Sequence, residues 1–364
     1  MPGRPKSRVH RRPLGRVGTA LVAAVLLLVC GCGAGGKAAE TADGRTIVRY
    51  QGWSGDVLFH ELAADLGYFD KIQLEWVGDT TSGPQDIQSA ATGETEIGSA
   101  FNGAVVKLNA AGAPITSVLS SYGADQGDYT GYYVLDGSPI RTARDLIGKK
   151  VGMNTLGAHH EFLTREWLAQ QGLTPEEIKT VQLIVVPPVN TEQALREGQI
   201  DVATLGSVQR EVALERGGIR ALFTDRDLFG AFSYGTYVMR DDFIAANPDA
   251  VRDFVQGTAR AVRWTQIHPR DEVVARFLDI IHKRGRAESD RAIRYWRSSG
   301  IPVPGAVIAD RELQIWIDWL ARNGELDEGE LTARDLYTNE YNPYANGTYP
   351  AESGPDGQAL AGEK

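Results

Sequence analysis

The alternation of short apolar runs with helical patterns, which begins at Arg45, most constrains the fold of this chain. Residues 97–101 are short, apolar and bounded by polar residues, as a buried strand is. Residues 57–69 instead place Leu58, Leu62 and Leu66 on one face of a helix. Strands that alternate with helices in this way are typical of an α/β fold with largely parallel strands.

The same reading extends along the chain. It predicts strands at 46–53, 73–77, 97–101, 149–153, 181–186 and 200–205, and helices at 57–69, 87–92, 104–111, 158–171, 247–267, 272–284, 288–298 and 310–323, with two further helices that end near Gly198 and Gly217. In the helix predicted at 310–323, Trp316 and Trp319 are expected to pack in the core. Residues 345–364 lack apolar periodicity and are predicted to be disordered.

The cycle of strands and helices occurs twice, which indicates two similar halves. Gly93, Glu96, Ile97 and Gly112 match Gly198, Asp201, Val202 and Gly217 without a gap. Two unrelated helix–strand–helix units could also produce such a match. The similar segments 131–135 and 235–239 bracket the second half, as a two-strand hinge requires. We therefore predict one lobe from 45–130 and 236–344 and a second lobe from 131–235.

The N-terminus has the layout of a secretory signal: basic residues up to Arg16, an apolar stretch at 21–29 and a small residue at Gly31. The sequence Val29-Cys30-Gly31-Cys32 resembles the bacterial lipobox, in which Cys32 would receive the lipid. We predict a lipoprotein signal peptide at 1–31, a flexible tether at 32–44 and a lipid-anchored protein on the extracytoplasmic face of the cell membrane. An anchor helix that stays attached is the alternative, but the apolar run is about half of the roughly 20 residues that span a bilayer.

Charge and cysteine content exclude several classes of function. The first 31 residues carry six basic residues and no acid; without them 32 basic residues face 47 acidic ones, a net charge of −15. Such a surface repels phosphate backbones, so no nucleic-acid partner is expected. Both cysteines, Cys30 and Cys32, precede the folded part. His160 and Glu161 begin a zinc-protease motif, but Thr164 stands where its second histidine is needed, so neither a metal nor a cofactor is expected.

Four segments resemble a known family: 63–75 (AADLGYFDKIQLE), 90–101 (AATGETEIGSAF), 145–157 (DLIGKKVGMNTLG) and 195–204 (LREGQIDVAT). They are similar to the solute-binding lipoproteins of ABC importers, in the sulfonate, nitrate, taurine and thiamine-precursor group. The resemblance implies a two-lobed type II periplasmic-binding fold, in which each lobe is a mixed sheet flanked by helices, with a two-strand hinge and the C-terminal helices on the first lobe. It also implies a monomer without catalytic residues that delivers a small-molecule ligand to an ABC transporter permease.

The strand-to-helix junctions of such a fold supply the candidate ligand-binding residues, which are Trp53, Ser54, Phe101, Asn102, Thr155, Gly157, His159 and Ser207. Free N–H groups and the positive dipole end at each helix start favour an anionic or strongly polar group. Trp53, Phe101 and Tyr122 would wall the organic part. The polar junction residues would equally serve as helix N-caps. We expect a small organic anion or a polar heterocycle, bound better when His159 is protonated.

Two other functions remain open. An enzyme on the same scaffold, such as a thiamine-pyrimidine synthase or a chorismate-lyase-like protein, would use His159, His160 and Glu161 as its reactive groups. A surface lipoprotein without any small ligand is the second alternative.

Overall fold

The computed structural model describes residues 36–80 and 82–360, so the predicted signal peptide and Cys32 lie outside the described residues. In chain order the strands are β1 (Thr46–Gly52), β2 (Ile72–Asp79), β3 (Ile97–Phe101), β4 (Ile115–Ala124), β5 (Thr130–Leu135), β6 (Lys150–Met153), β7 (Gln182–Val185), β8 (Val202–Gly206), β9 (Ile219–Thr224) and β10 (Phe232–Arg240).

The α-helices alternate with these strands and then dominate the C-terminal third. They are α1 (Phe59–Asp65), α2 (Gly83–Thr92), α3 (Asn102–Ala110), α4 (His159–Gln170), α5 (Pro175–Lys179), α6 (Pro188–Arg196), α7 (Ser207–Arg216), α8 (Asp225–Phe229), α9 (Asp241–Ala246), α10 (Pro248–Ile267), α11 (Arg270–Arg284) and α12 (Asp310–Arg322). Short 3₁₀ helices span Ala143–Leu146, Ala292–Tyr295, Pro304–Ala306 and Ala333–Asp335. Across the described ranges, none of the helices has the length and apolarity that a bilayer crossing requires.

The described strands form three sheets. β1 and β2 pair in parallel, β10 lies antiparallel between β3 and β4, and a mixed sheet has the order β7-β6-β8-β5-β9. The five-stranded sheet comes wholly from residues 130–224, whereas β1 and β2 lie before that segment and the three-stranded sheet uses chain from both sides of it. Segments 125–129 and 225–231 connect the two regions. The predicted mixed α/β fold with helices flanking its sheets is confirmed.

A repeated unit underlies the two regions. Each element of the unit α6-β8-α7 begins 105 residues after the corresponding element of the unit α2-β3-α3. An acidic residue before the strand has the same role in both units. Glu96 accepts the backbone N–H of Arg49 at 2.6 Å and donates its own to the carbonyl of Arg49 at 3.1 Å. Asp201 exchanges the equivalent pair of bonds with Lys150, both at 2.9 Å.

The predicted helix at 288–298 is reduced to the 3₁₀ helix Ala292–Tyr295. The guanidinium of Arg270, which lies outside this segment, donates hydrogen bonds to the carbonyl oxygens of Arg294 and Trp296. These carbonyl groups therefore have partners other than those of a regular helix. Residues 296–299 therefore form a loop rather than a helix end.

Both chain ends within the described range pack on the body, unlike the predicted tether and tail. Asn247 donates to the carbonyl of Gly36 at 2.6 Å, at the start of the expected tether. At the other end, Arg263 donates to the carbonyl of Ser353 at 2.7 Å, and Ser353 is 2% exposed. These partners lie about 90 or more positions away in sequence, so local composition does not reveal them.

The largest hydrophobic cluster joins α3, α4 and α12 to the strands. Trp316 is fully buried and contacts Phe101 and Phe162 edge-on, with ring centroids 4.3 and 3.9 Å apart. Trp319 is also buried. The predicted core position of both tryptophans is confirmed.

Candidate functional site

A cavity of about 370 Å³ lies where helix starts from both regions converge. The residues that begin or precede a helix and line it are Leu58, Phe59, Ser82, Gly83, Phe101, Ala158, His159 and Ser207. They belong to α1, α2 and α3 beside the smaller sheets, and to α4 and α7 beside the five-stranded sheet. A ligand in this cavity would therefore contact both regions.

Five of the eight residues predicted to bind ligand line this cavity: Trp53, Phe101, Thr155, His159 and Ser207. Tyr122, predicted as a wall, lines it too. Ser54 and Asn102 do not. Asn102 is fully buried and donates to the carbonyl of Glu312 at 2.9 Å, so it ties α3 to α12. Gly157 lines a separate cavity, with its N–H bonded to the carboxylate of Glu161 at 2.8 Å.

Ser207 has a strained backbone. Its φ of +43° lies in the left-handed region, which non-glycine residues rarely adopt. It lines both the main cavity and a side pocket of about 180 Å³. The two spaces also share Asp128, His160 and Tyr234. The first residue of α7 is thus held in a costly conformation beside the space that a ligand would fill.

Part of the wall was not predicted from the sequence, namely Tyr234, Tyr237, Trp296, Ser298 and Ser299. Both tyrosines lie on β10, and Tyr237 belongs to the segment 235–239 that is predicted as a hinge strand. The other three lie in the loop that replaces the predicted helix end. A tryptophan close to a pair of serines in an otherwise polar segment was the sequence signal that could have indicated these three residues.

His159 is 7% exposed and lines the cavity. Its ring stacks on Tyr234 with centroids 3.8 Å apart, and its Nε2 lies 3.6 Å from the Oδ2 of the fully buried Asp225. Burial lowers the pKa of His159, against the opposite effect of Asp225. The ring is therefore neutral near pH 7, whereas the expected anion was predicted to bind better to the protonated ring.

Two carboxylates line the cavity. Burial raises the pKa of Asp128 to about 7, although Arg210 lies 3.8 Å away and opposes the shift. Desolvation raises the pKa of Asp56 to about 6, although the residue remains exposed at the edge of the protein surface. Among the described residues that line the cavity, none is Lys or Arg.

Acidic side chains also offset the positive dipole ends at three of the helix starts. Glu61 in α1 accepts the N–H of Leu58 at 3.0 Å, and Asp86 in α2 accepts that of Ser99 at 2.7 Å. Glu161 occupies the first turn of α4. An ionised carboxylate in the first turn exceeds the roughly half positive charge of a helix end, although burial raises the pKa of Asp86 to about 7, so that Asp86 is only partly ionised near neutral pH. Of the five helices whose starts line the cavity, α3 and α7 carry no acid in the first turn.

The arrangement provides aromatic faces, hydroxyl groups and acceptors in a partly enclosed space, which suits a planar polar molecule. Within 36–80 and 82–360, no group of three or more His, Cys, Asp or Glu side chains is placed to hold a metal ion.

An α/β chain with helix starts from two sheet regions around one cavity has the architecture of the periplasmic-binding fold. The chain belongs to the NMT1/THI5-like family, whose model matches residues 57–272. The periplasmic aliphatic sulphonate-binding protein of Escherichia coli has the same fold, with a TM-score of 0.61 at 20% identity over 80% of this chain and 91% of that protein. The predicted resemblance is confirmed.

Two relatives carry different names. A 4-amino-5-hydroxymethyl-2-methylpyrimidine phosphate synthase of Candida albicans is 28% identical over 224 residues, which is 58% of this chain and 63% of the relative. A putative aliphatic sulfonates-binding protein of Escherichia coli is 28% identical over 191 residues, which is 52% of this chain and 55% of the relative. The match thus covers less than two thirds of either relative.

Proposed function

We propose that the protein is an extracytoplasmic solute-binding protein that holds a small polar organic solute and delivers it to an ABC importer. The observation that carries this proposal is the cavity at the helix starts of both regions, because a ligand there would join the proposed lobes 45–130 plus 236–344 and 131–235. The solute-binding names of relatives support it.

Of the two solute classes expected, a polar heterocycle fits better than a simple anion. Trp53, Tyr122, Tyr234 and Trp296 offer aromatic faces to a ring, and the lining serines and tyrosines offer hydrogen bonds. A simple anion would find no lining guanidinium or ammonium group among the described residues.

A synthase-like enzyme is the second candidate, and the pair formed by His159 and Asp225 favours it, since a histidine beside a carboxylate is a common general base. The name of the Candida albicans relative points the same way. The binder is preferred because the cavity lies between the two sheet regions and because relatives with the same fold are named as solute-binding proteins.

The two candidates differ in what happens to the solute. We expect the solute that co-purifies with the protein to be recovered unchanged after prolonged incubation, as mass spectrometry would show. Rebinding it to ligand-free protein should reduce the radius of gyration in small-angle scattering, because contacts with both proposed lobes favour a closed state.

A compound that does not bind, added at the same concentration, is the control for the scattering measurement. Conversion of the solute would establish the enzyme instead. A verified solute that left the radius of gyration unchanged would contradict closure about segments 125–129 and 225–231.

The proposed lipid anchor leads to a separate expected result. Cys32→Ser should move the protein from the membrane fraction to the soluble fraction, because the acyl chains would have no attachment point. Cys30→Ser is the matched control and should leave the protein in the membrane fraction. Immunoblots of both fractions measure the outcome, and membrane association of the Cys32→Ser protein would refute the anchor.

A further inference from the structure

We propose that the cavity binds an organic cation, with a planar amidinium-like or ammonium group against Asp128 and beside the rings of Tyr122 and Tyr234. This inference rests on the proposed solute-binding function and specifies the charge of the solute. It reverses the anion preference that the helix starts alone suggest.

The charges that face the cavity are negative. Asp56 and Asp128 line it, and the described lining includes no Lys or Arg. Behind the lining, Asp86 accepts the backbone N–H of Ser99 at 2.7 Å, and Asp225 accepts that of Thr130, in the wall of the side pocket, at 2.9 Å. Burial raises the pKa of Asp86 to about 7, as it does for Asp128, so a cation would favour the ionised forms of both carboxylates and an anion would oppose them.

The nearest arginines already have partners. The guanidinium of Arg210 donates to the carbonyls of Tyr129 and Gly127 at 2.6 and 2.8 Å and to Glu211 at 2.8 Å. It approaches Asp128 only to 3.8 Å, which is longer than a hydrogen bond. Arg210 therefore leaves the carboxylate of Asp128 able to accept a hydrogen bond from a solute.

Arg284 and Arg286, near Asp56, also have acidic partners already. Arg284 bonds Glu61 at 2.7 Å and Glu288 at 2.6 Å. Arg286 pairs with the same Glu61 at 2.8 Å. Neither arginine lines the cavity. The charges of these two arginines are balanced by those of the two glutamates, so the carboxylate of Asp56 adds a negative charge to the wall.

His159 is a second and independent observation. It is 7% exposed and lines the cavity, and neither ring nitrogen has a hydrogen-bond partner among the described residues. We assign the proton to Nε2, which faces Asp225 at 3.6 Å. Nδ1 is then an acceptor without a donor, and an N–H group of a solute would satisfy it.

The aromatic rings suit the same group. Tyr122 and Tyr234 form an edge-to-face pair with centroids 5.2 Å apart, and both line the cavity. The negative face of an aromatic ring attracts ammonium and amidinium ions. Asp128 supplies the charge and the two rings supply the surface, which together distinguish a cation from a neutral molecule of the same shape.

Three isosteric probes test the proposal: benzamidine, which is cationic, benzamide, which is neutral, and benzoate, which is anionic. Titration calorimetry on the full chain should rank benzamidine first, with an affinity about tenfold or more above that of benzoate. Asp128→Asn should weaken benzamidine about tenfold and leave benzamide nearly unchanged. Asp136→Asn, an exposed carboxylate outside the cavity, is the matched control and should alter neither affinity.

The pH dependence provides a second readout. Burial raises the pKa of Asp128 to about 7, opposed by Arg210 on α7 and assisted by Asp125 in its own loop and Asp225 on α8. Burial lowers the pKa of His160 on α4 to about 3, so His160 is neutral in this range. A cation favours the ionised form of Asp128, so benzamidine affinity should rise about tenfold from pH 6 to pH 8.

Tighter binding of benzoate than of benzamidine would overturn the proposal while leaving the solute-binding function intact. Failure of all three probes to bind at millimolar concentration would overturn it as well. Unchanged benzamidine affinity in Asp128→Asn, or an affinity that falls from pH 6 to pH 8, would remove Asp128 from the site. The solute-recovery experiment above fails or succeeds independently of these outcomes.

Discussion

Glu61→Gln is expected to lower the free energy of unfolding by about 3–5 kcal/mol, the range for removing one partner of a buried charge pair. Glu61 is 7% exposed, and its two carboxylate oxygens accept three hydrogen bonds and face a second guanidinium. Tyr50 donates to Oε1 at 2.7 Å, and Leu58 and Arg284 donate to Oε2 at 3.0 and 2.7 Å. Arg286 forms an ion pair with Oε1 at 2.8 Å and donates its hydrogen bond to the hydroxyl of Tyr50. A glutamine would place an NH₂ group among these donors and leave two buried guanidinium groups without their shared charge.

Glu94→Gln is the matched control, because Glu94 is exposed in the turn after α2 and should change stability by less than about 0.5 kcal/mol. Urea denaturation of both variants measures the difference. Loss of Glu61 should also disturb the cavity, since the same carboxylate fixes Leu58 at the start of α1. A loss below about 1 kcal/mol would mean that water replaces the missing charge, and that this network does not hold α1 in place.

Much of the α/β order could be read from the sequence because it depends on short-range patterns. The predicted strand at 97–101 coincides with β3, whose five residues are all buried and are therefore uniformly apolar or small. The match of Gly93 with Gly198 identified a repeat that the structure extends over α2-β3-α3 and α6-β8-α7. Both glycines have positive φ, +81° and +69°, which helix ends favour and other residues resist.

Segments whose order depends on distant partners could not be read in this way. The tail at 345–360 looks like a disordered chain in composition, yet Arg260 and Arg263 on α10 bind its carbonyl groups. The loop at 296–299 replaces a predicted helix end because Arg270 takes the carbonyls of that segment. In both cases an arginine far away in sequence decides the local conformation.

Five of the eight predicted junction residues line one cavity, but the acidic side chains around it were not predicted. Helix starts alone predict a preference for anions. The structure shows Glu61, Asp86 and Glu161 near three of those starts and Asp128 in the wall. Asp128 lies in the connection between β4 and β5, a segment without any motif. Its role depends on the packing of two sheet regions, which no local pattern encodes.

Trp316→Ala is expected to destabilise the protein by about 3–5 kcal/mol, the usual range for truncating a buried aromatic residue. Trp316 is fully buried on α12, where its ring contacts Phe101, Phe162 and Phe229 with centroids 4.3, 3.9 and 6.1 Å apart. These partners come from the end of β3, from α4 and from α8. The cavity left by an alanine would therefore open in the region that joins the two sheet regions, and thermal and urea unfolding would show the loss.

Trp316→Phe is the matched control, and it should cost less than half as much as the alanine variant. Phenylalanine keeps an aromatic ring against Phe162, and it removes an indole N–H that is buried with no hydrogen-bond partner among the described residues. Because Phe101 and His159 lie between Trp316 and the ligand cavity, the alanine variant should also weaken solute binding, whereas the phenylalanine variant should preserve it. Equal losses in both variants would show that the indole itself, rather than the packed volume, holds α12 against α4.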